Sequence, residues 1–280
     1  MPAVFVLIWS TGFIVARYAM PHCPPMKFLM ARYVFSVLAF CAWIFWAKVP
    51  WPQSTAQWRH LAVTGVLMHG GYLAGVWMAV RHGMGSGLTA LIVGLQPVLT
   101  AIWISHRGGQ VTHRQWTGLW LGFGGLLLVV LRKLVESLEV SPFTLAMAIL
   151  ALLSITAGTL YQKTYVKPCD VRSANCVQLM AAGLVSLPFA LFESAPVQWH
   201  TDLIGAMAWS VLGLTLGGSS LLYMLIQRGA AASVSSLMYL VPPTTAIMAW
   251  FLFDEPLTLV TLVGITLTAL GVSLVVRKAT

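Results

Sequence analysis

Charge is what this sequence lacks most. Only 8% of its 280 residues are Asp, Glu, Lys or Arg, while 59% are apolar; ordinary soluble domains run at about 25% and 45–50%. So few charges cannot solvate a soluble surface of this size. Acidic residues are scarcer still, seven in all. The only asparagine, Asn175, is followed by Cys-Val, so there is no N-glycosylation sequon. Four cysteines, Cys23, Cys41, Cys169 and Cys176, form no CxxC and no Cys/His cluster. No HExxH and no nucleophile–base pair stands out, so an intramembrane enzyme, a metal and a cofactor are all unexpected.

What the chain has instead is long apolar runs separated by short polar breaks. The runs are about twice the roughly ten residues of a barrel strand and match the length of a transmembrane helix. Ten of them lie near 3–20, 28–47, 58–80, 86–105, 115–131, 143–162, 173–192, 203–226, 232–253 and 257–276. They predict an all-α membrane protein of ten transmembrane helices, with the lipid bilayer as its surroundings and no soluble domain left over. The first run begins at Ala3 without a basic leader and is expected to stay as a transmembrane helix.

The net charge of +9 invites a nucleic-acid reading, but its distribution argues otherwise. With the N-terminus in the cytoplasm, the inner loops and tail carry Lys48, Arg59, Arg107, Arg114, Lys167, Arg172, Arg228, Arg277 and Lys278. The outer side holds Arg17, Lys27, Arg81, Arg132 and Lys133, with every acid except Asp170. This is the positive-inside bias. Both termini are predicted to be cytoplasmic, the basic surplus sets orientation, and no nucleic-acid partner is expected.

Shifted by 146 residues, the chain lies over itself without a gap. GMGSGLTALIVGLQPVLTAIW at 83–103 meets GAAASVSSLMYLVPPTTAIMA at 229–249, and Thr112, Gly118, Leu121 and Gly125 meet Thr258, Gly264, Leu267 and Gly271. Arg17 meets Lys163, Arg32 meets Gln178, and Trp77 meets Tyr223. The halves are residues 1–134 and 135–280, five helices each. An odd number of helices makes the second half enter the membrane from the opposite side. Such inverted repeats are a frequent plan of secondary transporters, with substrate bound near the midplane between the halves.

WSTGFIVAR at 9–17, PPMKFLMAR at 24–32, GLTALIVGLQPVLTAIW at 87–103 and SSLMYLVPPTTAIMAWFLFDEPLT at 235–258 resemble the drug/metabolite transporter superfamily, most closely its EamA-type ten-helix members. The resemblance covers essentially the whole chain. It implies two inverted five-helix repeats (5+5) in a bacterial inner membrane, exchanging small metabolites, often amino acids. It also implies that the first, third, fourth, sixth, eighth and ninth helices line a central cavity.

Candidate substrate contacts follow. Arg32 lies about 10 Å into its helix, where a charge must face the protein interior; it serves either as an anion handle or as a partner for freed carbonyls. His69, in HGGY, is buried by position. Trp9, Tyr72, Trp77, Trp103, Tyr223 and Tyr239 supply aromatic faces, while Gln96, Thr11, Thr159 and Ser220 add polar contacts. Trp43, Trp46, Trp51, Trp58 and Trp199 read instead as interfacial belts. Pro97, with Gln96 before it, matches Pro243, with Pro242 before it. Proline removes a helical hydrogen bond, and such breaks are tolerated at membrane depth where they line a cavity. These three prolines are expected to bend or gate.

Glycines 118, 122 and 125 on the fifth helix and 264 and 271 on the tenth predict close helix packing, either within the chain or in a homodimer through those helices. With no Asp or Glu inside any run, facilitated diffusion or exchange of a small molecule is expected, coupled through His69 at most. The rival readings are a nucleotide-sugar carrier, which needs several cavity cations, a drug-type carrier, which needs an intramembrane acid, and a channel, for which no charged ring or carbonyl filter is present.

Overall fold

The structure is a computed structural model that describes residues 2–107, 112–136, 140–227 and 240–276. We number its helices by the ten runs. The first half contains α1 (Pro2–Ala19), α2 (Pro25–Trp46), α3 (Thr55–Arg81), α4 (86–106) and α5 (His113–Glu136). The second contains α6 (Pro142–Tyr165), α7 (Val171–Phe192), α8 (201–227), α9 (Val241–Phe253) and α10 (Leu259–Val276). All regular structure among the described residues is helical.

Local signals set several helix starts. Pro25 occupies the first turn of α2, where its missing N–H is no loss. Ser54 caps α3, Ser141 and Thr144 form a reciprocal cap on α6, and Asp170 caps α7 by accepting from the Arg172 backbone N–H. Six stretches are long and apolar enough to span a bilayer, and Val4–Ala19, Val241–Phe253 and Leu259–Gly271 are shorter apolar helices. Phe35, Leu38, Phe45, Leu184, Phe189 and Leu191 are exposed on the bundle's outside, an apolar surface only lipid would cover. Trp46 and Trp199, 82% and 81% exposed, sit at opposite ends of the bundle, where aromatic belts belong.

Helix pairing survives exchange of the halves. α2 packs on α7, α5 on α10 and α4 on α9, each pairing a helix with its own counterpart. α3 packs on α6 just as α8 packs on α1. The α5–α10 contact shows the symmetry at atomic scale: a methyl on Gly125 would lie 2.6 Å from the Gly264 carbonyl oxygen, and one on Gly271 would strike that of Gly118. These glycines are therefore used for close packing within the chain.

Both α3 and α8 contain a wide, π-helical segment, Val66–Gly71 in one and Ser210–Ser219 in the other. The segments overlap under the 146-residue offset, and such turns commonly mark functional positions. α4 is interrupted instead. It runs Ser86–Val93, breaks at Gly94 and Leu95, and resumes as Gln96–His106 with Pro97 in the new first turn.

The far end of the bundle, where α1 finishes, is tied shut by two carboxylates from the second half. Glu193 accepts from the backbone N–H groups of Met26 (3.0 Å) and Lys27 (2.9 Å) at the start of α2. Glu255 accepts from the Ser86 N–H (2.9 Å) at the start of α4 and lies 3.8 Å from the Arg17 guanidinium. Each carboxylate meets the positive end of a helix dipole. The stacked rings of His22 and His200, 4.4 Å apart, join the loops at the same end, with Asp202 3.2 Å from His200 Nδ1. Sequence spacing gives no sign of that cluster, because its members come from the loop after α1 and the distant start of α8. In the sequence, the offset counterparts of Glu193 and Glu255 are Ala47 and Gly109, which carry no charge.

Candidate transport cavity

Between the halves lies a cavity whose free space, with its open mouth included, is about 670 Å³. The first half contributes Trp9, Arg32, His69, Tyr72 and Trp77 to its wall. From the second come Gln162, Asn175, Gln178, Ser219 and Tyr223. Gln162 is near the end of α6 and Asn175 near the start of α7, so the cavity extends from mid-bundle toward the end where α1 begins. At that mouth the Tyr223 hydroxyl lies 3.1 Å from Cys169 Sγ, and burial pushes the Cys169 thiol pKa up. A smaller cavity shares Trp9, Phe13 and Tyr72 and reaches the α4 break at Gly94, Gln96 and Pro97.

Arg32 is 96% buried, since only 4% of it is exposed. Its Nε donates to Thr215 Oγ1 at 3.1 Å. Among the described residues no carboxylate pairs with it, a costly state for a buried charge. The 146-residue offset carries Arg32 to Gln178 and Thr215 to His69. His69 and Gln178 both line the cavity. The positions of the Arg32–Thr215 pair are thus held in the other half by Gln178 and His69, with each π-helical segment supplying one member. Tyr33 donates to the His69 backbone carbonyl at 2.6 Å, fixing that wide turn.

Aromatic faces form the rest of the wall. Trp9 and Tyr72 lie nearly parallel, at 6° with centroids 6.4 Å apart. Trp77 stacks on Phe28 at 4.3 Å. Large flat faces with a few buried polar groups suit a small molecule that has an apolar body and one polar head.

The sequence profile of the EamA-like transporter family matches residues 3–131 and 142–277. The chain belongs to the EamA-like transporter family. It is 23% identical to an uncharacterized transporter from Archaeoglobus fulgidus, over 99% of this chain and 96% of the relative. It is 22% identical to the uncharacterized transporter YvbV of Bacillus subtilis, over 99% and 90%. The uncharacterized inner membrane transporter YedA of Escherichia coli K12 is 21% identical, over 88% and 80%. One crystal structure superposes with a TM-score of 0.72 at 14% identity, over 98% of this chain and 95% of that one, a likeness of fold. The chain is accordingly a multi-pass membrane transporter of the drug/metabolite superfamily.

In this EamA-like transporter, Trp9, Arg32, His69, Tyr72, Trp77 and Tyr223 meet in the larger cavity. Gln96 and Pro97 line the smaller one, where Gln96 Nε2 donates to Thr159 Oγ1 at 3.1 Å and ties α4 to α6. Thr159 also donates to the Ile155 carbonyl, 2.7 Å away. Thr11 lies outside both cavities, accepting from Trp209 Nε1 at 2.8 Å. Trp103 is 49% exposed beneath the Arg107 guanidinium and is likewise outside both. Ser220 is buried with its hydroxyl unpartnered, next to the cavity residue Ser219. Pro242 is buried and Pro243 half-buried at the start of α9. Tyr239 lies outside the described residues.

Gln162, Asn175 and Gln178 are cavity residues that the sequence did not single out as contacts. Each is a primary amide inside an apolar helix, a costly placement, and that is the signal that marks them.

Proposed function

We propose that the protein is an alternating-access secondary transporter that exports amino acids or similar small metabolites across a bacterial inner membrane, with both termini cytoplasmic. One observation carries this reading: a cavity walled by both halves reaches one end of the bundle, while carboxylate ties close the other. Two near-equivalent halves support a second packing of similar energy in which the ends trade roles. The basic bias of the loops supports an inward orientation of the cavity.

No Asp or Glu appears among the described residues of the cavity wall, which favours exchange or facilitated diffusion over coupling through a carboxylate. Among the described residues of that wall Arg32 is the only Lys or Arg, which disfavours nucleotide sugars, whose phosphates call for several cations. The test is uptake into proteoliposomes across a panel of amino acids, nucleotide sugars and cationic dyes. Saturable uptake of one or more amino acids is expected. Uptake restricted to sugar nucleotides or dyes would contradict it.

A further inference from the structure

Two buried donors in the cavity wall have unmet hydrogen-bonding capacity. Of the five N–H donors of Arg32, only Nε has a partner among the described residues. Gln178, 2% exposed, has no partner for its amide nitrogen. Gln178 Nε2 is closed off without a partner, which is destabilising, while the Arg32 guanidinium is a buried charge without a counter-ion whose terminal nitrogens open on the cavity. Both conditions are relieved by one ligand group: an anion with two acceptor oxygens, fitted to a planar fork on one side and an amide on the other.

We infer that the substrate is a small monocarboxylate of net negative charge, its carboxylate held between Arg32 and Gln178 and its apolar body against Trp9, Tyr72 and Trp77. This rests on the carrier reading of the same cavity and, among amino acids and similar small metabolites, favours those that carry the carboxylate without the ammonium. Arg32 and Gln178 are counterparts in the two halves, so the head group lies where the halves meet and is gripped by both. A zwitterionic amino acid fits less well. Its ammonium finds no Asp or Glu among the described residues of the wall and is repelled by the same guanidinium that attracts its carboxylate. Thr215 is a positioning residue: it orients the Arg32 fork.

The test uses purified full-length protein and three monocarboxylates of increasing body size (propanoate, 3-phenylpropanoate and octanoate), each paired with its α-amino acid. Binding is read by quenching of tryptophan fluorescence, and exchange is measured separately in proteoliposomes. At least one carboxylate is expected to bind about tenfold or more tightly than its amino acid, a difference of about 1.4 kcal/mol. Gln178→Leu is expected to weaken that carboxylate about tenfold while the protein stays monodisperse. Gln178→Glu keeps the shape but opposes the anion, and should abolish carboxylate binding and narrow the gap to the amino acid. Equal or tighter binding of the amino acids, carboxylate affinity unchanged in both folded variants, or no carboxylate binding at all would overturn the inference. Amino-acid exchange without carboxylate exchange would do so too, while leaving the carrier reading intact. Carboxylate binding that depends on Gln178, without exchange of any compound, would keep the site and remove the carrier reading.

Discussion

A methyl group on Gly94 would lie 2.5 Å from Cγ of Pro242. The break in α4 and the proline start of α9 therefore touch across the boundary between the halves, with no room for a side chain between them. Glycine at 94 is required for this close approach. Gly94→Ala should force the two elements apart, at about 1–3 kcal/mol for overpacking, and slow transport more than it lowers expression. Thermal unfolding in detergent, alongside exchange in proteoliposomes, checks both parts.

Glu255 binds the N-terminus of α4 and approaches Arg17, so it holds the far end closed. Glu255→Ala removes a helix cap worth about 0.5–2 kcal/mol, which converts to about a two- to thirtyfold gain in the population open at that end. A cysteine placed at Thr89, one turn deeper in α4 and fully buried, reports this opening. In a background without other cysteines, its labelling by a membrane-impermeant maleimide should rise by that factor. Unchanged labelling would remove Glu255 from gating.

Cys41 in α2 and Cys176 in α7 have their sulfurs 3.6 Å apart. A lipid-soluble oxidant such as copper–phenanthroline should join these two and leave Cys23 and Cys169 outside any disulfide. Peptide mass spectrometry after digestion reads the pairing, and Cys41→Ser should abolish it. A different pair would contradict the α2–α7 packing.

Asp170 caps α7 and is bonded by the Arg172 guanidinium, which holds its carboxyl below the ordinary value of 3.8. A depressed folded-state value means that the contribution is complete above the ordinary carboxylate range. It is lost as pH falls through the folded-state value. Asp170→Ala should cost about 0.5–2 kcal/mol near pH 7, and the gap from the parent should close as pH falls below the ordinary carboxylate range. Thermal unfolding of both proteins across that range measures it.

The ten-helix plan is legible in the sequence because the length of an apolar run and the loop between two runs are written directly in composition. Depth is legible too: Arg32, His69, Tyr72 and Trp77 are inside their runs, and all four reach the cavity. Azimuth is harder. Trp9 and Thr11 are two residues apart, about 200° around a helix, so only one can face the centre; Trp9 does, and Thr11 meets Trp209. The π-helical segments shift the register of α3 and α8 midway, and no hydrophobic periodicity announces such a shift. Gln178 stands opposite Arg32 in the repeat, yet an amide in place of a guanidinium reads as a faded echo until both are found facing one cavity.

Alternating access is tested most directly by counterflow. Proteoliposomes loaded with millimolar unlabelled substrate are diluted into a trace of labelled substrate, with no ion gradient imposed. A carrier that presents its cavity to one side at a time gives a transient overshoot of label above equilibrium, saturable and diminished by Gly94→Ala. Monotonic, non-saturable entry of label, indifferent to the substrate inside, would contradict alternating access and make the cavity a pore.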